Sequence, residues 1–158
     1  MTDRPLQIAL GADHRGVAQA ERLREHLERA GHEAKIVGQC EGPCDYPDQA
    51  YVVGQAINAG EVDFGILICG TSIGMSIAAN KIDGVRAAVV HDELTAGLSR
   101  AHNDANVLCL SGDLLGQHLI ERITDSWLST PFEGGRHERR TNKISAIERG
   151  EDPRNCPD

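Results

Sequence analysis

Aromatic side chains are scarce in this chain, where Phe, Trp and Tyr together make up 3% of the 158 residues. Val, Ile, Leu and Ala must therefore fill the core. Long hydrophobic runs are also lacking, since no 18 consecutive apolar residues occur, and the first predicted strand is reached without a signal-peptide pattern. We therefore expect no membrane partner and no export, but a cytoplasmic protein with reduced thiols.

Positive charge is in short supply as well. The 16 Lys and Arg residues are outnumbered by 24 Asp and Glu residues, which gives a net charge of -8. This balance argues against binding of nucleic acid or of anionic membranes, although a local basic cluster can still hold one small anion. The charged and hydrophobic fractions, 25% and 40%, are those of an ordinary folded domain.

The five cysteines are odd in number and irregularly spaced. Cys40 and Cys44 stand close together, but no second Cys or His pair follows at zinc-like spacing, so a solvated loop is favoured over a metal site. Cys109 lies within an apolar strand and is interpreted as part of the core. Cys156 lies in the C-terminal tail and is given no role. Only Cys69 remains as a candidate functional thiol.

Cys69 follows an apolar run at 64–68 that predicts a buried strand, and a small-residue turn bracketed by Gly70 and Gly74 comes next. A helix is predicted over 73–81. A thiol at the carboxyl end of a strand, facing a helix N-terminus, is placed where anions bind and where thiolates are favoured. Residues 67–74 are therefore the best candidate site in the sequence.

Strands and helices alternate along the chain. The pattern predicts strands at 6–10, 34–37, 64–68, 85–90 and 106–110, and helices at 17–30, 48–59, 73–81, 92–101, 115–127 and 138–149. We therefore expect a three-layer α/β/α fold, with a five-stranded parallel Rossmann-like sheet and a C-terminal helical extension. Residues 1–150 are predicted to form one domain, and residues 151–158 a flexible tail.

In such a sheet, ligands bind beyond the carboxyl ends of the strands. Asp13, His14, Cys69 and His91 follow the predicted strands and are expected at that edge. Asp13 and His14 fit an acid–base or anion-binding pair, and they fit equally well a helix cap beside an exposed histidine.

Two further groups lie in the second half of the chain. His102 and Asn103 follow the fourth predicted helix, where a histidine also interacts favourably with the helix C-terminus. Arg136, Arg139 and Arg140 form the one concentrated basic segment of an acidic chain. That segment fits a phosphate clamp, for which the guanidinium fork is well suited, and it also fits a solvated surface.

Five segments in the same order resemble the ribose-5-phosphate isomerase B family, which includes the galactose-6-phosphate isomerase subunits. They are GADHRG at 11–16, DYP at 45–47, ILICGTSIGMSIAANK at 66–81, SRAHNDANV at 99–107 and FEGGRHERR at 132–140. The resemblance covers about residues 8–149. It implies an isomerase that takes a small phosphorylated sugar, needs no metal or other cofactor, and forms homodimers or dimers of dimers with active sites shared between subunits.

The family chemistry moves a proton between C1 and C2 of a sugar phosphate through a cis-enediolate. By this resemblance Cys69 is the base, with a pKa lowered by the helix N-terminus. The backbone of the turn stabilises the enediolate, Thr71 relays a proton, and His102 with Asp13 opens the furanose ring. Substrate contacts are expected from Gly70, Ser72, Ile73, Gly74, Tyr46 and Asn103, and phosphate contacts from His14, Arg136 and Arg140.

The chain departs from the family pattern at three positions. Ser72 replaces the middle glycine of a frequent Gly-Thr-Gly-x-Gly loop, although serine tolerates positive φ poorly. Met75 occupies the place of a glutamate that is the base in some members, which leaves Cys69 as the base. Asp113 stands where many members carry an arginine that reaches a phosphate across the dimer. An aspartate is expected to repel the phosphate, so one anchor is missing.

The first hypothesis is an isomerase that interconverts ribose 5-phosphate and ribulose 5-phosphate. Asp113 and the irregular loop at 39–47 keep open the same chemistry on another substrate, such as galactose or allose 6-phosphate or a tetrose phosphate. A non-catalytic sugar-phosphate sensor on the same fold is a further alternative. A thiol redox protein is disfavoured, because no cysteine stands within Cys-x-x-Cys spacing of Cys69.

Overall fold

A central parallel sheet organises the chain, of which the computed structural model describes residues 4–38, 40 and 42–156. Every neighbouring pair of strands is parallel. The five strands are β1 (Gln7–Ala12), β2 (Glu33–Gly38), β3 (Phe64–Cys69), β4 (Ala87–Val89) and β5 (Val107–Ser111). Their order across the sheet is β2-β1-β3-β5-β4, so β3 is the central strand.

Helices cover both faces of this sheet. In the described residues they are α1 (Val17–Arg29), α2 (Tyr46–Asn58), α3 (Ile73–Ala79), α4 (Glu93–Asn103), α5 (Gln117–Ser129), α6 (Arg136–Glu148) and the short 3-10 helix η1 (Pro153–Asn155). Side chains of α1 and α5, among them Leu23 and Trp127, form the core on one face. Side chains of α2 and α3, among them Val53 and Met75, form the core on the other face. The predicted three-layer α/β/α fold is confirmed, and α6 is the C-terminal extension.

Several predicted boundaries shift by a few residues. Helix α2 begins at Tyr46 rather than at residue 48, with Pro47 in its first turn, where proline is favoured. Strand β4 has three residues instead of six. The side-chain amide of Asn80 both donates to the carbonyl of Ala87 and accepts from its N–H, so that side chain satisfies the backbone at the sheet edge. The predicted tail contains η1, and residues 157–158 lie outside the described residues.

The strand directions define two edges of the sheet. We call the edge with the ends of the strands the carboxyl edge and the opposite one the amino edge. Strand β2 lies on one side of β1 and all later strands lie on the other, so β1 and β3 flank the topological switch point. Ligands bind at the carboxyl edge of such a switch point, which here carries the ends of β1 and β3. Among the described helices, none is long and apolar enough to cross a membrane.

Candidate active site

Cys69 is the last residue of β3, and its side chain lies under the following turn. The residue is 4% exposed, and its Sγ accepts a hydrogen bond from the backbone N–H of Ser72 over 3.1 Å. The loop after β5 holds the turn in place, because the carbonyl of Cys69 accepts from the N–H of Gly112 and the carbonyl of Gly70 accepts from that of Asp113. The thiol is therefore fixed at the carboxyl edge, against the N–H groups of its own turn.

Ser72 adopts the conformation that a glycine would take at this position. Its φ is 65° and its ψ is -13°, in the left-handed region, and the residue is fully buried. The hydroxyl donates to the carbonyl of Thr71, which gives the buried oxygen a partner. The turn thus keeps a positive φ despite the serine, at a strain cost of about 1 kcal/mol relative to glycine.

The pKa of Cys69 differs in direction from the expectation. Burial raises the pKa of the thiol, and the negative charge of Asp13 raises it further. The N–H groups of Ser72, Thr71 and Met75 lower the pKa, but they do not outweigh burial. The prediction of a lowered pKa is therefore wrong, and the thiol is protonated at neutral pH.

Asp13 lies at the end of β1, beside the end of β3. Its residue is 5% exposed, and its N–H donates to the carbonyl of Ile68 over 3.2 Å. One carboxylate oxygen accepts from the N–H of Arg15 over 2.9 Å, closing an Asx turn. Asp13 does not cap α1, whose N-cap is Gly16 and has no side-chain cap bond. The negative charge of Asp13 raises the pKa of Cys69, so the carboxylate and the thiol lie near each other.

Tyr46 lies against the turn from the other side. A Cβ atom added to Gly74 would lie 2.5 Å from the ring Cζ of Tyr46, so the phenol contacts the backbone of Gly74 directly. His14 is exposed at the same edge, as are Thr71 and Ile73. The structure therefore brings the predicted site residues from Asp13 to Gly74 together at the carboxyl edge, where Asp13, Cys69 and Ser72 are buried beneath the exposed residues.

Asp113 is not an unpaired negative charge. Its carboxylate accepts bonds from Arg15 Nε at 2.8 and 3.1 Å, and Arg15 Nη2 lies 2.8 Å from Oδ2. The pair joins the β1–α1 loop to the β5–α5 loop across Gly70. The expectation that Asp113 simply repels a phosphate is corrected by this pairing, because Arg15 compensates its charge.

A second group of predicted site residues lies at the amino edge. The rings of His102 and His137 are stacked, with centroids 4.2 Å apart and an interplanar angle of 7°. The segment that leads into α6 is joined to the end of α4, where the N–H of Glu133 donates to the carbonyl of Ala101. Arg136 Nε donates to His137 Nε2 over 3.2 Å. No role for His137 is predicted from the sequence, since its stacking partner lies 35 residues away in the chain.

This second group is separated from Cys69 by the length of the central strand. Helix α4 starts after β4 at the carboxyl edge and runs back, so that Asn103 lies just before the start of β5 at Val107. Cys69 is at the opposite end of β3, whose six residues span about 16 Å. Within one chain, His102, Asn103 and Arg136 therefore do not meet Asp13 and Cys69. Arg140 follows one turn further along α6 and belongs to the same group.

Metal binding by this second group has opposing features. One ligand atom from each of His102, Glu133 and His137 lies within 4.8 Å of the others. Arg136, however, holds a fixed positive charge against His137 Nε2, which disfavours a cation there. Burial, with His102 and Arg136, lowers the pKa of His137, which leaves this imidazole neutral at neutral pH. The cluster is better suited to an anion beside its arginines.

Comparison with known proteins decides the family. The ribose/galactose isomerase family profile matches residues 8–144 of this chain. The chain belongs to this family. Ribose-5-phosphate isomerase B of Escherichia coli is 46% identical over 143 residues, covering 90% of this chain and 96% of the relative. The structure of the Clostridium thermocellum ribose-5-phosphate isomerase B superposes with a TM-score of 0.88 at 43% identity, covering 90% and 97% of the two chains.

Another structure from this family contains a bound sugar phosphate. The Mycoplasma genitalium ribose-5-phosphate isomerase B holds bound ribulose 5-phosphate, and it superposes with a TM-score of 0.81 at 40% identity, covering 90% and 95% of the chains. The family match in our chain includes the groups at both edges of the sheet, from Asp13 to Arg140.

The loop before α2 differs from the sequence-based interpretation. Cys40 and Cys44 form a disulfide, rather than a solvated pair of thiols or a metal site. The amide of Gln49 contacts both sulfur atoms, at 3.3 and 3.9 Å. The predicted irregular stretch includes Gln39 and Glu41, which lie outside the described residues. The disulfide directly precedes Asp45 and Tyr46, so it borders the candidate site.

Proposed function

We propose that this protein interconverts ribose 5-phosphate and ribulose 5-phosphate, with Cys69 as the base. The observation that carries the proposal is the buried thiol of Cys69 at the switch point, in contact with the N–H of Ser72 and close to the carboxylate of Asp13. Membership in the ribose/galactose isomerase family, whose M. genitalium member holds ribulose 5-phosphate, supports this substrate.

The chemistry begins with a proton on carbon. The Cys69 thiolate takes the C2 proton of the open-chain aldose, and the electrons form a cis-enediolate. Returning the proton to C1, while Thr71 moves a proton between the two oxygens, gives the ketose. Backbone N–H groups of the turn, aimed where negative charge develops, stabilise the enediolate, and loss of one such donor costs about 3 kcal/mol of barrier.

Ring opening and phosphate binding require a second subunit in this proposal. His102, Asn103, Arg136 and Arg140 lie at the amino edge, about a strand length from Cys69 in the same chain. A partner subunit that presents its amino edge to the carboxyl edge of the first completes the site. We therefore propose a homodimer, or a dimer of dimers, in which each site combines Cys69 and Asp13 of one subunit with His102 of the other.

Two further expectations remain proposals. We propose that the isomerisation needs no metal, since Cys69 and the turn supply both the base and the electrophile. We also propose a cytoplasmic location, where the reducing conditions would open the Cys40–Cys44 disulfide.

The experiment is a direct assay of aldose–ketose conversion with purified protein. We expect turnover of ribose 5-phosphate in wild type, a loss of at least about a thousandfold in kcat for Cys69→Ala, and little change for Cys109→Ala, a matched control in the core of β5. Near-wild-type turnover by Cys69→Ala would remove Cys69 from the base role.

Proton exchange separates the alternatives. NMR in deuterated water reports incorporation at C2 of the sugar phosphate. No exchange despite binding would favour the non-catalytic sensor. Comparing kcat/KM for tetrose, pentose and hexose phosphates tests whether another substrate is preferred.

A further inference from the structure

The Arg15–Asp113 pair lies against Gly70, in the turn that follows Cys69. A Cβ atom on Gly70 would lie 2.9 Å from Asp113 Oδ2 and 3.1 Å from Arg15 Cδ, so both side chains press on that glycine. The N–H of Arg15 is bound to the buried carboxylate of Asp13. The backbone of Arg15 is thus hydrogen-bonded to Asp13, and its side chain contacts the turn that follows Cys69.

Cationic side chains are rare at the carboxyl edge. The loops that follow the five strands, at 13–16, 39–45, 70–72, 90–92 and 112–116, contain one arginine and no lysine. The same loops contain five acidic residues. A sugar phosphate that binds over Cys69 must place its negatively charged phosphate group among these acidic residues. Arg15 is the only permanently charged cation with which these loops can bind it.

Arg15 also keeps donors available for a ligand. Asp113 uses Nε and Nη2, and in the part of the chain that the structure describes no acceptor is bound to Nη1. The side chain is 54% exposed. The two-point contact with Asp113 holds the guanidinium in one orientation, which reduces the conformational entropy that a ligand must remove on binding.

We propose that Arg15 binds the phosphate group of the substrate and that Asp113 is its positioning residue. This inference rests on the proposed function, and it adds a phosphate contact from the same subunit as Cys69. Asp113 then stands in an anion-binding site without opposing it, because its charge is used to orient Arg15.

The test measures binding of inorganic phosphate by calorimetry, alongside the KM for ribose 5-phosphate. Arg15→Ala is expected to weaken phosphate binding and raise KM about tenfold or more, with kcat changed much less. Arg24→Ala is the matched control, since Arg24 is an ion-paired arginine on the surface of α1. It should leave both constants unchanged.

A double variant distinguishes contact from charge compensation. In Arg15→Ala the carboxylate of Asp113 is left unpaired, and its repulsion alone weakens phosphate binding. In Arg15→Ala with Asp113→Ala that repulsion is gone, so binding should remain about tenfold weaker than wild type if Arg15 contacts the phosphate. Recovery of wild-type affinity in the double variant would overturn the proposal, as would wild-type affinity in Arg15→Ala.

Asp113→Asn tests the positioning role. We expect about threefold weaker phosphate binding, because the two-point contact is lost. Tighter binding would show that Asp113 only opposes the anion. Because phosphate binding is measured without turnover, a wild-type protein that binds phosphate but does not isomerise ribose 5-phosphate refutes the proposed function and leaves the Arg15 contact testable. A wild-type protein that binds no phosphate refutes the Arg15 contact.

Discussion

The backbone N–H of Ser72 points at the Sγ of Cys69 from 3.1 Å, and it does so from a left-handed conformation with φ of 65°. This contact favours the thiolate, whereas burial of the sulfur and the charge of Asp13 favour the thiol. The second effect is the larger one. The sulfur is therefore protonated at neutral pH, and it lies beside an N–H donor that stabilises the thiolate once the proton leaves.

The pH dependence of kcat/KM should reflect this balance. Only the thiolate removes a proton from carbon, so kcat/KM should fall as the pH falls through the raised pKa of Cys69. Asp13→Asn keeps an oxygen for the N–H of Arg15 but removes the negative charge that raises the pKa of Cys69. The fall in kcat/KM on the acid side should therefore move to lower pH. The pH–rate profiles of both proteins measure the shift. An unmoved limb, or one at higher pH, contradicts the assignment.

Substitutions at Ser72 should follow the backbone conformation. Ser72→Gly relieves the strain at φ 65° but loosens the unfolded chain, so we expect a free energy of unfolding within about 1 kcal/mol of wild type. Ser72→Val places a β-branched side chain in the left-handed region and should cost about 2 kcal/mol or more, with a lower kcat. Urea denaturation measures the free energy of unfolding of each variant, and the ribose 5-phosphate assay measures kcat. A tolerated valine would show that the turn does not need this conformation.

Gly16 brings the start of α1 against the end of β3. A Cβ atom there would lie 2.3 Å from the carbonyl oxygen of Ile68, a backbone atom that cannot turn aside. We expect Gly16→Ala to lower the free energy of unfolding by about 3 kcal/mol. Gly116→Ala, at the N-cap of α5 with open space around it, is the control and should cost less than about 1 kcal/mol. Equal stabilities in the two variants would contradict the close approach.

Local sequence signals predicted the strands and helices well. Helices pack against the sheet through one face and show apolar residues at helical spacing, whereas strands covered on both faces are apolar at consecutive positions. Helix α4 is an example: it begins one residue after the predicted start, and the carboxylate of Asp92 caps it by accepting from the N–H of Thr95 over 2.7 Å. Positive φ at Ser72 was not predictable, because the local preference of serine opposes it and only the surrounding fold enforces it. The pairing of Arg15 with Asp113 and the stacking of His102 on His137 join residues far apart in sequence, where no local pattern connects them.

The direction of α4 was implicit in the alternation of strands and helices. A helix that follows one strand and leads into the next parallel strand must return to the amino edge, so His102 at its end lies opposite Cys69 at the end of β3. The candidate residues therefore divide into a Cys69 group and a His102 group that only contact between two chains can bring together.

Mixing two inactive variants tests this division. Cys69→Ala and His102→Ala homodimers should each lack turnover, because every site misses one group. After mixed refolding in equal amounts, half of the dimers pair one of each, and such a dimer holds one site with both groups intact and one with neither. We expect about a quarter of the wild-type kcat to return. The steady-state rate of ribose 5-phosphate conversion measures the recovery, with Cys69→Ala refolded alone as the control. If each chain built its own site, every site in the mixed dimers would still miss one group, and no activity would return.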